Sequence, residues 1–376
     1  MNHHHDAIVI GAGAAGLASA YQLSRRRMKV LVLEKGYPGC GSTGRCIGGI
    51  RQQFSTPGAI RLMRESVRQF RQMEAEFGST IEYYEGGYLF LAHDSARMET
   101  FRAILPLQRE LGLRIDLLSP EECLKLVPVL NGDGLVGGVY SSEDGQAYPF
   151  KVLAGYISGI RKNGAEVLPY TEVDDLIIEQ QTVKGVRTRD GGTYYSDVVL
   201  NACGPWASAV GKMAGVELPV TAEGHEAFIT DRQPRLFETM IVDYRSDGCY
   251  FYQRTNGQVI GCYSPVPSRP GIHSEATREF LVEMPRRALR LVPRLETARV
   301  IRHWGGSYEM TPDGSPIIDR TPVKGYYVAV GLSGHGFMFA PAIGTFVSQI
   351  ILDDVYPFDW AEFKLDRDYS RNELMK

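Results

Sequence analysis

Apolar positions in this chain change period several times, and each change marks an element. Ala7-Ile8-Val9-Ile10, opened by Asp6, is a continuous apolar run, the pattern of a short strand covered on both faces. A helix-compatible stretch to about residue 27 follows, and residues 28–33 read as a second buried strand. Ser55-Thr56-Pro57 looks like a cap and first turn. Ile60, Met63, Val67, Phe70, Met73 and Phe77 then recur at helical spacing and point to the core. Residues 86–92 alternate like a strand, 98–111 read as a helix, and Ser119 can cap a short helix after Leu117-Leu118.

Further on, 149–162 predicts a helix stopped by Gly164, and 167–170 a strand. Two strands flank the Asp190-Gly191-Gly192 turn, and the apolar run 197–201 suits a strand covered on both faces. From 227 to about 262 the pattern is alternating and aromatic, as in an antiparallel sheet that could roof a site. Residues 285–291 read as helical, and 326–331 as a buried strand before a glycine-rich turn and a helix. No internal repeat or low-complexity linker separates these segments, so the expected domains are interleaved. At 376 residues the chain is long enough for two.

Between the first strand and helix stands Gly11-Ala12-Gly13-Ala14-Ala15-Gly16, the spacing G-x-G-x-x-G. Gly11 suits the tight turn, Gly13 a close approach of backbone to a pyrophosphate, and Gly16 close packing of helix on strand. The helix N-terminus then faces the phosphates. Glu34 ends the second strand at about the ~20-residue offset where an acid binds ribose hydroxyls. A glutamate there disfavours NADP and leaves NAD and FAD open.

Composition narrows the partners. Apolar residues are 44% and charged residues 23%, with a net charge of −3, which gives no electrostatic footprint for nucleic acid or an anionic membrane. The longest weakly polar run, 7–20, falls short of the ~20 apolar residues needed to span a bilayer. Asp6 and three histidines stand where a secretory signal would carry its basic region, so a cytoplasmic protein is expected. His3-His4-His5 read as a tag remnant and are set aside as metal ligands. The six cysteines (40, 46, 123, 203, 249, 262) show no CxxC pair and no zinc-like spacing, so they read as reduced thiols and no metal is expected.

Three further blocks carry a resemblance: Val199-Leu200-Asn201-Ala202-Cys203-Gly204-Pro205-Trp206, Thr311-Pro312-Asp313-Gly314-Ser315-Pro316, and Gly331-Leu332-Ser333-Gly334-His335-Gly336-Phe337. With the N-terminal fingerprint they make the chain resemble the D-amino-acid oxidase-like FAD family of glycine and sarcosine oxidases, over nearly its whole length. Ser42-Thr43-Gly44-Arg45-Cys46 and Gly49-Ile50-Arg51-Gln52-Gln53-Phe54 look most like the catalytic β-subunits of dye-linked L-proline dehydrogenases, then those of heterotetrameric sarcosine oxidase.

The resemblance implies an α/β fold: a Rossmann-like FAD-binding domain (1–81, 145–218 and 302–376) interleaved with an α+β substrate domain built on an antiparallel sheet (82–144 and 219–301). It implies FAD held by Gly11, Gly13, Ala15, Gly16, Glu34, Lys35, Ser42, Thr43, Arg45, Cys46, Val173, Ala202, Gly204, Trp206, Gly306, Gly331, Gly334, His335, Gly336, Phe337 and Met338. Where monomeric sarcosine oxidase ties its flavin to a cysteine, this chain has Gly305-Gly306-Ser307-Tyr308, so FAD is expected to be noncovalent. Near Gly145-Gln146-Ala147-Tyr148-Pro149 no histidine matches the FMN-linked one of heterotetrameric sarcosine oxidase, so any FMN at a subunit interface would be noncovalent too.

Arg51 matches the family's carboxylate-binding arginine, and guanidinium suits a carboxylate through two parallel hydrogen bonds. A second cationic ligand in that family falls at Met338. Tyr250 and Tyr252 share one face of a predicted strand and could roof the flavin or bind the carboxylate, although ordinary sheet packing explains each at least as well. His335 is expected to position and stabilise charge near the flavin edge, and His225 is a weaker candidate. The leading expectation is oxidation of an L-proline-like amine to its imine by a dehydrogenase subunit, with an α-type partner or another electron acceptor. A self-sufficient glycine or sarcosine oxidase producing hydrogen peroxide is the alternative, and a noncatalytic FAD-bearing electron-relay subunit is an alternative of another class.

Overall fold

The expected opening unit is present: strand Ala7–Ile10, helix Ala14–Arg25 and strand Val30–Leu33, both strands buried along their whole length. These coordinates, a computed structural model, describe residues 4–375; His3, of the three tag-like histidines, lies outside the described residues. The two strands sit in a six-stranded sheet ordered Ile317–Arg320, Tyr326–Val330, Val199–Asn201, Ala7–Ile10, Val30–Leu33, Glu166–Leu168. All neighbours run parallel except the first pair. Helices Ala14–Arg25, Pro149–Lys162 and Gly336–Leu352 pack together on one face, and a three-stranded antiparallel sheet, Val173–Glu179, Thr182–Thr188 and Thr193–Tyr195, joins the core on the other.

The second large sheet has nine strands: Arg269–Pro270, Thr221–Arg232, Gln258–Tyr263, Tyr250–Gln253, Met240–Asp243, Tyr88–Ala92, Gly137–Ser141 and Asp116–Leu118 in line, with Val300–Met310 also pairing Thr221–Arg232. It is antiparallel, as the pattern predicts, except where Met240–Asp243 runs parallel to Tyr88–Ala92. That joint brings together two segments about 150 residues apart in sequence, so no hairpin dictates its direction. The fold is thus an α/β dinucleotide-type unit joined to a largely antiparallel sheet.

Several elements differ from the pattern reading: strands Asp116–Leu118, Gly137–Ser141 and Val173–Glu179 have no counterpart in it, and two more elements depart from it. The helix expected at 285–291 runs over Arg278–Leu291 with Pro285 inside it. Phe280, Met284, Ala288 and Leu291 form its buried stripe, and that burial outweighs the proline's lost hydrogen bond. Strand Val300–Met310 is the longest strand after Thr221–Arg232, yet Gly305-Gly306 interrupt its pattern; it is held by pairing along Thr221–Arg232.

Candidate active site

The dinucleotide cleft is built where the first strand hands over to the first helix. A Cβ on Gly11, whose φ is +105°, would meet the Ala202 carbonyl oxygen at 2.5 Å, and one on Gly16 the Gly11 carbonyl oxygen at 2.0 Å. The protein's own packing therefore requires both glycines. Gly13 differs, since a Cβ there would meet within 4 Å the Thr43 hydroxyl alone, at 3.3 Å. The space before Gly13 is left open at a helix N-terminus with no side-chain cap, the arrangement that accepts a phosphate. Ala14 N–H donates to Thr43 Oγ1 at 3.0 Å, which fixes the following loop beside the helix start.

Glu34 is buried at the end of the second strand. Ala12 N–H donates to its Oε2 and Gly36 N–H to its Oε1, each at 2.8 Å, so the carboxylate is aimed while keeping lone pairs for ribose hydroxyls. The Lys35 ammonium stands 3.3 Å over the Trp206 ring, and burial lowers its pKa while Glu172 and Glu34 oppose that shift. The cleft is a cavity of about 200 Å³ whose walls include Gly11, Gly13, Ala15, Glu34, Lys35, Ser42, Thr43, Cys46, Val173, Ala202, Gly204, Trp206, Gly334, Gly336 and Phe337. These residues fit an FAD-sized dinucleotide by their donor set and by the open space at Gly13.

A second cavity of about 440 Å³ adjoins it. Ser42, Cys46, Ser307, Tyr308, Gly334 and Phe337 line both, so the two spaces meet along one wall. Arg45, Arg51, Tyr250, Gly306, His335 and Met338 line the larger one. Gly16 and Gly331 line neither, and act by packing; Gly331 presses on Thr311. Tyr252 also stays off both walls, because its hydroxyl donates to the Ile47 carbonyl at 2.5 Å and the ring is buried behind the sheet. Its neighbour on the same face, Tyr250, does reach the cavity and hydrogen-bonds Tyr308 through the two hydroxyls at 2.7 Å.

Arg51 is buried, with its guanidinium 4.0 Å from the centre of the Phe54 ring. It donates to the carbonyls of Gln53 and Met375 and, at 3.0 Å, to His335 Nε2. A guanidinium carries no acceptor, so Nε2 accepts and the His335 proton belongs on Nδ1. Arg45 instead ties the loop after Glu34 to strand Val300–Met310, donating to Gly305 O at 2.7 Å and Cys40 O at 3.2 Å, while Trp304 Nε1 donates to Arg45 O at 2.8 Å. His225 stacks on Tyr308 with ring centres 3.7 Å apart, and burial depresses its pKa to about 4, which leaves it neutral and unsuited to general-base work near neutral pH.

Sequence patterns assigned no role to Asp144, Tyr308, Glu309 or Met375. Asp144 is fully buried: Gln52 N–H donates to Oδ1 at 2.9 Å and Gln53 Nε2 to Oδ2 at 3.0 Å, pinning the two residues after Arg51. Burial is the main reason its pKa rises to about 6, offset in part by those donors and by Arg51. Tyr308 and Glu309 lie just before the Thr311-Pro312-Asp313 block, the one signal that could have flagged them. Met375 reaches Arg51 from the far end of the chain, which no local pattern encodes.

A dinucleotide cleft of this topology, opening on a separate cavity that holds a buried guanidinium, defines an FAD-type oxidoreductase. The family profile described as FAD dependent oxidoreductase (DAO) matches residues 6–350, and the chain belongs to that family. It is 30% identical over 375 residues to "Sarcosine oxidase subunit beta" of Rhizobium meliloti (strain 1021), covering 97% of this chain and 88% of the relative. It is 28% identical to "Glycine oxidase" of Geobacillus kaustophilus, covering 98% of each. Among solved structures, L-proline dehydrogenase from P. horikoshii superposes with a TM-score of 0.92 at 32% identity over 97% of both chains. Among the described residues no helix is long and apolar enough to cross a membrane, and no cluster of metal-ligating side chains occurs.

Proposed function

We propose that this chain oxidises a small amino acid or secondary amine of the L-proline type to its imine, as the catalytic β-type subunit of a dehydrogenase complex. The observation that carries the reading is the Arg51 guanidinium, buried in the cavity that shares a wall with the dinucleotide cleft. When bound, FAD supplies a two-electron acceptor for the hydride leaving the carbon beside nitrogen. Arg51 holds the substrate carboxylate, and Tyr250 with Tyr308 lines the space for its carbon frame. The nitrogen lone pair forms the C=N bond as hydride leaves, so the amine binds unprotonated, and the apolar walls Phe90, Val242 and Met338 favour that neutral form. His335, hydrogen-bonded to Arg51, orients the guanidinium.

FAD is taken to be noncovalent, since the stretch Gly305-Gly306-Ser307-Tyr308 carries no cysteine; no feature of the described residues supports an added FMN. Resemblance to a sarcosine oxidase β-subunit supports an α-type partner, and six free cysteines support a reducing, cytoplasmic setting. The domain division 1–81, 145–218 and 302–376 against 82–144 and 219–301 is supported by the two sheets, with strand Val300–Met310 spanning its last boundary.

An anaerobic panel of L-proline, sarcosine, glycine and D-amino acids, monitored by bleaching of the flavin band, tests the reading. Fastest bleaching by L-proline is expected. Preference for glycine or sarcosine would move the protein to the second reading, which its likeness to glycine oxidase over 98% of both chains supports. Bleaching by no amine would overturn catalysis and leave the electron-relay reading.

A further inference from the structure

Glu309 is a buried carboxyl that the amine chemistry leaves unused. It belongs to strand Val300–Met310, is 7% exposed, and lines the dinucleotide cleft beside Ser307 and Tyr308. Its Oε2 accepts from Gly331 N–H at 3.3 Å, and a Cβ on Gly204 would stand 3.8 Å from the same oxygen. It is therefore wedged between the turns after strands Val199–Asn201 and Tyr326–Val330. No ion pair among the described residues engages it.

An anionic carboxylate at this place would face a cofactor that brings a charged diphosphate of its own. Two unpaired negative charges in one buried cleft repel strongly. A neutral carboxylic acid instead offers one O–H donor and removes the conflict. We propose that Glu309 is a cofactor-binding residue that meets FAD as a neutral acid and donates its proton to an oxygen of the cofactor. This rests on the reading that the cleft holds FAD. Burial supports it, raising the Glu309 pKa to about 8 against the opposing pull of the Gly331 and Leu332 N–H groups.

The titratable groups around the cleft include two further acids, Glu34 at the end of the second strand and Glu172. Lys35 reaches in from the second strand, with its pKa lowered by burial; Cys203, on the turn after Val199–Asn201, and Cys40 and Cys46, on the flavin-side loop, are shifted up by burial; Tyr308 on the same strand is raised likewise. Loss of the Lys35 charge would also weaken an anionic ligand at high pH, so the test needs a comparison in which Lys35 is unchanged.

Apoprotein is titrated with FAD from pH 7 to pH 9.5, following quenching of flavin fluorescence, for wild type, Glu309→Gln and Glu309→Leu, with circular dichroism at each pH to confirm folding. For a neutral acid titrating near pH 8, wild-type Kd is expected to rise up to about 30-fold across that range. Glu309→Gln, which keeps a neutral donor, is expected to bind within about threefold of wild type at pH 7 and to lose most of the pH step, while Glu309→Leu binds about tenfold more weakly at pH 7. A step that persists in Glu309→Gln, a flat wild-type profile, or loss of binding in Glu309→Gln at pH 7 would each overturn the proposal while leaving FAD binding intact in the wild type. Failure of wild type to bind FAD at any pH would instead overturn the cofactor reading on which it rests.

Discussion

At the scale of single residues, Arg51 tests the substrate site and Gly13 the cofactor cleft. Arg51→Ala is expected to keep FAD bound and to weaken a carboxylated substrate by about 1.5–3 kcal/mol or more, seen as a raised KM in dye-coupled assays, with Arg51→Lys recovering part. Unchanged KM and turnover in both variants would remove Arg51 from the substrate site. Gly13→Val is expected to give a folded, colourless protein, because the branched side chain fills space that the chain itself leaves open. A variant that retains one FAD per chain would show that this opening serves only the turn. Asp144 adds a pH signature. Its carboxyl is raised to about 6 from 3.8, so its contribution to stability is present below the unfolded value and lost as pH rises through 6. Relative to Asp144→Asn, wild type should lose on the order of 2–3 kcal/mol of unfolding free energy between pH 4 and pH 7, measured by urea denaturation. A pH-independent difference would mean that Asp144 is paired or hydrated enough to ionise normally.

Elements show how local signals and distant partners combine. Helix Arg278–Leu291 starts at Thr277, whose Oγ1 accepts from Phe280 N–H at 3.2 Å and donates to Glu226 Oε1 at 2.7 Å. Glu226 also takes the Thr277 N–H and pairs with Arg269 at 2.7 Å, so the cap is tied to strand Thr221–Arg232 on the cavity wall. Thr277→Ala should therefore cost about 1–2 kcal/mol in urea unfolding, with Thr277→Ser restoring most of it. An alanine variant as stable as wild type would show the cap to be dispensable. The short helix Pro120–Leu126 is a simpler case: Ser119 and Glu122 form a reciprocal cap that sequence alone announces.

Across the whole molecule, the electron acceptor depends on which charges stand over the flavin. Val259, in strand Gln258–Tyr263, is uncharged and fully buried, and Arg254, just before that strand, pairs with Glu82 at 3.0 Å instead of lining the cavity. Arg245 does line it but is bound to Asp243 at 2.7 Å. With Arg245 and Arg254 ion-paired, and Arg45 and Arg51 on the cavity wall held by backbone carbonyls, substrate-reduced protein is expected to react slowly with oxygen and rapidly with an artificial dye in stopped-flow mixing. Rapid reoxidation by oxygen with stoichiometric peroxide would favour the oxidase reading.

The sequence by itself determined the opening strand, glycine turn and helix, the acid at Glu34, and most helices and buried strands, because each rests on neighbours within a few turns of chain. The family resemblance, carried by blocks of local sequence, implied roles for Arg51 and His335. Tertiary structure alone decided the rest. Strand Val300–Met310, the parallel joint of Met240–Asp243 with Tyr88–Ala92, the contact of Met375 with Arg51, and the burial of Asp144 and Glu309 all join segments far apart in sequence. Tyr250 and Tyr252 make the same point on one strand: identical residues with the same orientation, of which only Tyr250 meets the cavity, since the carbonyl of Ile47 from a distant loop has already covered the other.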